Sequence, residues 1–272
     1  MIQLPALTKK DVIVTILCVF ILCTCLNAIS IGGRRHAKAI VCQAHLAQWG
    51  RVFQNYLAEN NGKFFSGTTP QGYWWPHQLD NDLKDWKRNK VWFCPEAETP
   101  VIDEYGNASP GFNVYNAWGI YAGDEQSFGK NGLAGSYGLN GYTLQISGPT
   151  FLFPGRGVSS QNGWKSFDVP EADRIPLFFD ALRFDLWPVD TEGPAANEFA
   201  AWSSNNMASC AINRHMGSIN SLFLDGSARR VDLKELWTLK WHKSFNTQGP
   251  WTLAGGVRSE DWPKWIRDFQ DY

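Results

Sequence analysis

The chain has no surplus of either charge. Its 25 Lys and Arg stand against 26 Asp and Glu, a net charge of -1. It therefore lacks the basic excess that neutralises phosphates, and nucleic acid is not indicated as a partner. It has no low-complexity tract, no internal repeat and no P-loop or GxGxxG between a strand and a helix, so nucleotide binding has no support. Of six cysteines, none stands at zinc-ligand spacing. Cys18, Cys23 and Cys25 lie in an apolar run without a neighbouring His or carboxylate, and Cys42, Cys94 and Cys210 are widely separated. No lipobox precedes any of them, and no nucleophile elbow frames a serine. These absences argue against an enzyme; no cofactor and no metal are expected.

What the chain does have is a long first element. Residues 12–31 form an apolar run long enough to span a bilayer as a helix. Beyond Gly32-Gly33-Arg34-Arg35 the pattern changes to helical spacing: Cys42, Leu46, Trp49, Phe53 and Tyr56 share one face. Asn60-Asn61-Gly62 is a stop signal. The reading is one helix over residues 7–60, apolar in its first half and amphipathic in its second. A membrane contact is expected through residues 12–31, with the body, residues 61–272, outside the cytoplasm. There, one disulfide among Cys42, Cys94 and Cys210 is the natural arrangement. Cys42–Cys94 is expected, because Cys42 sits on the apolar helix face and Cys94 ends a strand candidate, Val91–Phe93. Cys94–Cys210 is the rival.

The body mixes turns with short elements. A short helix is expected around His77–Leu83. Gly135–Thr143 (GSYGLNGYT) reads as turn and edge-strand material, and Ile175–Phe179 as a buried strand. Ser221–Leu224, Asp225-Gly226-Ser227 and Ala228–Val231 read as strand, turn, strand, with both turn residues able to take positive φ. Leu233–Trp241 reads as a short helix. The 14 Trp are expected mainly as core fillers, with an exposed aromatic platform for sugars or subunits as the competing use.

His215 and Asp225, with Ser218 between them, are the first residues to weigh for chemistry. A His and an Asp alone are half a metal site, and nothing marks Ser218 as a nucleophile. The structural reading has His215 buried near the hairpin, hydrogen-bonded to a carbonyl or carboxylate, and Asp225 shaping the turn. Glu96, Glu98, Asp103, Glu104, Asp124 and Glu125 read as a solvated acidic face, with calcium as the competing use.

His215, nine residues, then Asp225-Gly226 resembles the H-X9-DG motif of the prepilin-like proteins of Planctomycetes and related bacteria. In order along the chain, the N-terminal helix, VCQAHLAQWGRVFQNYLAENNGKF, VWFCP, SYGLNGY and RIPLFFDA are similar to other parts of that family. The resemblance implies a pilin-like α+β fold: a long N-terminal helix on a small antiparallel β-sheet with long loops. It implies a structural subunit of a type IV pilus-like or type II secretion pseudopilus filament, partnered by copies of itself, prepilin peptidase and the pilus or secretion machinery. The location implied is the inner membrane with an extracytoplasmic domain, or a cell-surface filament. The competing class is a membrane-anchored domain that binds a glycan or protein. By the same resemblance residues 1–6 are a leader cut between Ala6 and Leu7, and Asp11 stands where pilins carry the Glu that neutralises a neighbour's new amino group during assembly. His215, Asp225 and Gly226 carry over as a structural motif.

Overall fold

The computed structural model describes residues 8–67, 75–100, 113–121, 132–146, 153, 157–199 and 205–272; the side chains of Cys23, Cys25–Ile31, Ile120 and Tyr121 are outside that description. The leader site at Ala6 and Leu7 and the acids Asp103, Glu104, Asp124 and Glu125 also lie outside the described residues.

The first element is a single helix, α1 (Lys9–Glu59). It begins with a capping box: the Asp11 N–H donates to Thr8 Oγ1 at 3.3 Å, and the Thr8 N–H to Asp11 Oδ2 at 2.8 Å, satisfying donors that the first turn leaves open. It passes Gly32-Gly33 unbroken and ends where Asn61 (φ 55°) and Gly62 (φ 74°) turn left-handed. The Gly62 N–H returns to the Leu57 carbonyl at 2.8 Å. The expected apolar face is the buried one: Cys42, Leu46, Trp49 and Phe53 are within 1% of complete burial. The first half differs: Val12, Ile13, Val14, Ile16, Leu17, Val19, Phe20, Ile21 and Leu22 are all exposed. Among the described residues no helix is long and apolar enough to cross a membrane; the expected segment, residues 12–31, includes side chains outside that description.

Among its described residues the body carries two sheets. The smaller joins β1 (Thr99–Pro100), β2 (Asn116–Tyr121) and β3 (Leu133–Gly135). The larger comprises β4 (Tyr137–Asn140), β5 (Pro176–Asp180), β6 (Asp185–Leu186), β7 (Ser218–Phe223) and β8 (Ala228–Asp232), in the order β6-β4-β5-β7-β8. The chain is thus α+β, with α1 against β5, β7 and β8. The sheet is mixed, where an antiparallel one was expected. After β5 the chain reverses through residues 181–184 and passes to the outer side of β4, so β6 runs antiparallel to β5 and parallel to β4.

Three local expectations are corrected. Val91–Phe93 is no strand: Lys90–Trp92 is a 3-10 turn, drawn toward α1 by Trp49 Nε1 donating to the Val91 carbonyl at 2.9 Å. Tyr137–Asn140 is an interior strand, with every residue buried. The glycines of that region serve close packing: a Cβ on Gly141 would collide with the Trp187 ring. Finally, the hairpin turn has only Gly226 (φ 85°) at positive φ. The Gly226 N–H closes on the Phe223 carbonyl at 3.0 Å, and the Phe223 N–H on Ser227 at 2.9 Å. This is a three-residue connection with a glycine bulge.

The helix expected around His77–Leu83 resolves into a 3-10 turn, Trp75–Gln78, and the short α2 (Asn81–Lys84). Leu233–Thr238 is a 3-10 segment opened by an Asp232–Glu235 capping box. No described Trp is exposed. Trp49, Trp75 and Trp92 cluster with Phe53 and Phe178 at ring separations of 4.5–6.2 Å.

Candidate functional site

Beneath α1, four segments bring polar side chains into the core. Cys42 comes from the buried face of α1 and Cys94 from the stretch after Lys90–Trp92. Asp180 ends β5, and His215 precedes β7. All four are buried, and one ligand atom from each lies within 4.8 Å of the others.

The turn that aims His215 is set locally. Met216 (φ 53°) and Gly217 (φ 84°) are both left-handed, the geometry of a tight mirror-image turn. The His215 N–H donates to the Ser218 carbonyl at 3.1 Å, and Ser218 Oγ to the His215 carbonyl at 2.6 Å. Asn213 Oδ1 holds the Gly217 N–H at 2.6 Å. The imidazole then turns inward, with Nε2 3.2 Å from Asp180 Oδ2 and 3.3 Å from Cys94 Sγ.

Asp180 is the hub. Its Oδ2 accepts the Asn220 N–H at 2.8 Å, and its Oδ1 lies 3.3 Å from Arg214 Nη1. Arg214 is itself buried, with its guanidinium donating to the carbonyls of Val114, Asn116, Ser136 and Ala181 at 2.6–3.2 Å. Cys42 Sγ is 3.6 Å from Asp180 Oδ2 and receives the Tyr137 hydroxyl at 3.3 Å. The Cys94 N–H donates to Ser136 Oγ at 2.6 Å. Nδ1 of His215 is buried, with no hydrogen-bond partner among the described residues.

The electrostatics follow from this enclosure. Burial opposes ionisation of Asp180, but His215 and Arg214 beside it prevail and hold its carboxyl down to about 2. Burial likewise opposes protonation of His215, and the Asp180 carboxylate outweighs it, holding the imidazole above its ordinary range. Burial pushes the Cys94 thiol well up, with the neighbouring Cys42 and Asp180 adding to it. A metal-free cluster is therefore a carboxylate between two cationic groups, with burial favouring the neutral Cys94 thiol beside it.

His215 and Asp225 do not meet as a pair. Asp225 is an exposed turn residue whose Oδ1 accepts the Ser227 N–H at 2.9 Å; the carboxylate that His215 finds is Asp180. Cys42 and Cys94 are brought together but stand as free thiols, where a disulfide between them was expected. Each already faces polar partners: Tyr137 and Asp180 for Cys42, His215 for Cys94. Cys210 lies in α3 (Asn206–Cys210), its thiol directed at the Met207 carbonyl. Of the acidic residues, Glu96 pairs with Lys38 of α1 at 3.3 Å.

Sequence reasoning overlooked Asp180 and Arg214. Asp180 read only as the end of a buried strand, although a carboxylate closing the run IPLFF is an anomaly that calls for a partner. Arg214, next to His215, carries no sequence signal for burial, since its partners are backbone carbonyls from distant segments.

No family model matches this chain, and no curated protein or solved structure matches it.

Proposed function

We propose that the protein is a structural subunit of a pilus-like or pseudopilus filament, held in the membrane through the first half of α1 before assembly and joined to other copies through that half afterwards. The observation that carries this reading is the division of α1. One continuous helix buries Cys42, Leu46, Trp49 and Phe53 in its own domain and leaves Val12 to Leu22 apolar and exposed on all sides. A helix apolar all round belongs in lipid or among other helices. Burying the nine exposed side chains from Val12 to Leu22 would contribute on the order of 15 kcal/mol, which the subunit cannot realise by itself.

The likeness of the His215-to-Asp225-Gly226 spacing to the prepilin-like family supports the same reading. In it, the hairpin motif is structural: Gly226 supplies the turn and His215 ties the β7 entrance to the core. Asp11 keeps its proposed assembly role: among the described residues its carboxylate is engaged by Thr8 alone, and a neighbour's amino group would compete for it. Prepilin peptidase and the assembly machinery are the partners that this role requires.

Electron microscopy of sheared surface fractions tests the reading, using the full chain expressed with a pilus assembly system. Helical filaments that label for this chain are expected. Leu17→Arg should remove them while leaving the near-ultraviolet Trp signal of the domain intact. A monodisperse detergent-soluble species under assembling conditions, or undiminished filaments from Leu17→Arg, would refute it.

A further inference from the structure

We propose that Cys42, Cys94, Asp180 and His215 form a structural zinc site that ties the N-terminal helix to the sheet. The distances are those of a metal's coordination sphere. With Zn–S near ~2.3 Å and Zn–N or Zn–O near ~2.0 Å, the edges of a tetrahedron are about 3.5 Å for S–N and S–O and about 3.3 Å for N–O. The corresponding separations are 3.3 Å for Cys94 Sγ to His215 Nε2, 3.6 Å for Cys42 Sγ to Asp180 Oδ2 and 3.2 Å for His215 Nε2 to Asp180 Oδ2. The remaining pairs of ligand atoms also lie within 4.8 Å of one another, so four atoms bearing lone pairs are gathered from four separate segments of the chain.

The donor set selects the metal. Two thiolates and an imidazole suit zinc and are poor ligands for calcium or magnesium. Four protein ligands, all buried, leave no open position, which makes the site structural and not catalytic.

The charges also close. Zinc with two thiolates and one carboxylate carries one net negative charge, and the buried Arg214 guanidinium on Asp180 Oδ1 cancels it. A buried Arg fixed by four carbonyls would otherwise share its one carboxylate with an imidazole. Three of the four ligands, Asp180, Cys42 and Cys94, have surrounding contacts of the kind that orient a ligand. Arg214 and the Asn220 N–H fix the Asp180 carboxylate, the Tyr137 hydroxyl points at Cys42 Sγ, and Ser136 Oγ anchors the backbone of Cys94. Binding releases the two thiol protons, since a coordinated thiol is deprotonated. Zinc and a Cys42–Cys94 disulfide are mutually exclusive uses of the same sulfurs.

The test is independent of filament formation and uses the full chain in mild detergent under reducing conditions. Elemental analysis should find about one zinc per chain. Cobalt exchanged for it should show thiolate-to-metal charge transfer and the intense visible bands of tetrahedral coordination. Cys94→Ser and His215→Ala should lower zinc affinity at least about tenfold, with Cys210→Ser unchanged. Because a ligand variant can misfold, the wild-type protein supplies a second readout. Zinc should protect Cys42 and Cys94 from alkylation, and a chelator should expose them. Folded, reduced wild-type protein that takes up no zinc would overturn the proposal. So would cobalt spectra without thiolate bands, or a Cys42–Cys94 disulfide in protein isolated from the cell envelope.

Discussion

Asp185 opens β6 and is 3% exposed. Burial raises its carboxyl from the ordinary 3.8 to about 7, with Arg183 opposing. The folded protein therefore binds this proton more tightly than the unfolded chain does. The contribution of Asp185 to stability is greatest below the unfolded value of 3.8, falls as pH rises toward about 7, and stays at the lower level above it. A shift of that size corresponds to on the order of 4 kcal/mol, a large part of the stability of an ordinary domain. Asp185→Asn keeps the shape and cannot ionise. The variant is expected to unfold much like wild type at about pH 4 and to exceed it by on the order of 4 kcal/mol at about pH 8. The assay is urea unfolding of the full chain in non-ionic detergent, followed by near-ultraviolet circular dichroism across that range. The diagnostic quantity is the difference between variant and wild type, because every other titrating group cancels from it. A difference that is flat with pH, or a variant less stable than wild type at the alkaline end, would refute the reasoning.

His242 works in the opposite direction. Burial against Tyr142 and Phe245 lowers its imidazole from 6.5 to about 4, so its contribution is complete above 6.5 and lost as pH falls toward 4. His242→Phe should flatten that acid limb by about 3 kcal/mol in the same urea series. Phe53 touches Trp49, Phe64, Phe65, Trp75 and Phe178; Phe53→Ala should cost about 3–5 kcal/mol, read as a lower urea midpoint with unchanged slope. Gly141→Ala drives a methyl into the Trp187 ring; overpacking should cost about 1–3 kcal/mol, read as a lower melting temperature. Gly226→Ala, at φ 85°, should cost about 1–2 kcal/mol in the same melt.

The sequence alone determined the elements whose signal is local. The face of α1 from Cys42 to Phe53 was legible because a helix repeats every ~3.6 residues. The stop at Asn60-Asn61-Gly62 and the hairpin around Asp225-Gly226 were legible because few residues accept a left-handed backbone. Ile175–Phe179 was legible as an apolar run, and β5 lies within one residue of it.

The tertiary structure decided what depends on residues far apart in the chain. It made Tyr137–Asn140 an interior strand, with Gly138 packed against the Arg183 carbonyl and Gly141, just after it, against the Trp187 ring. It turned Val91–Phe93 into a 3-10 turn held by Trp49. It chose Asp180 as the carboxylate that His215 meets: strand pairing sets Asp180 beside Asn220, and the left-handed turn at Met216-Gly217 swings the imidazole inward. Separations of 35, 86, 121 and 138 residues carry no local periodicity. Only the closing of α1 over β5 and β7 brings Cys42, Cys94, Asp180 and His215 to one point, because that packing follows from the summed burial of both faces and not from any stretch read alone.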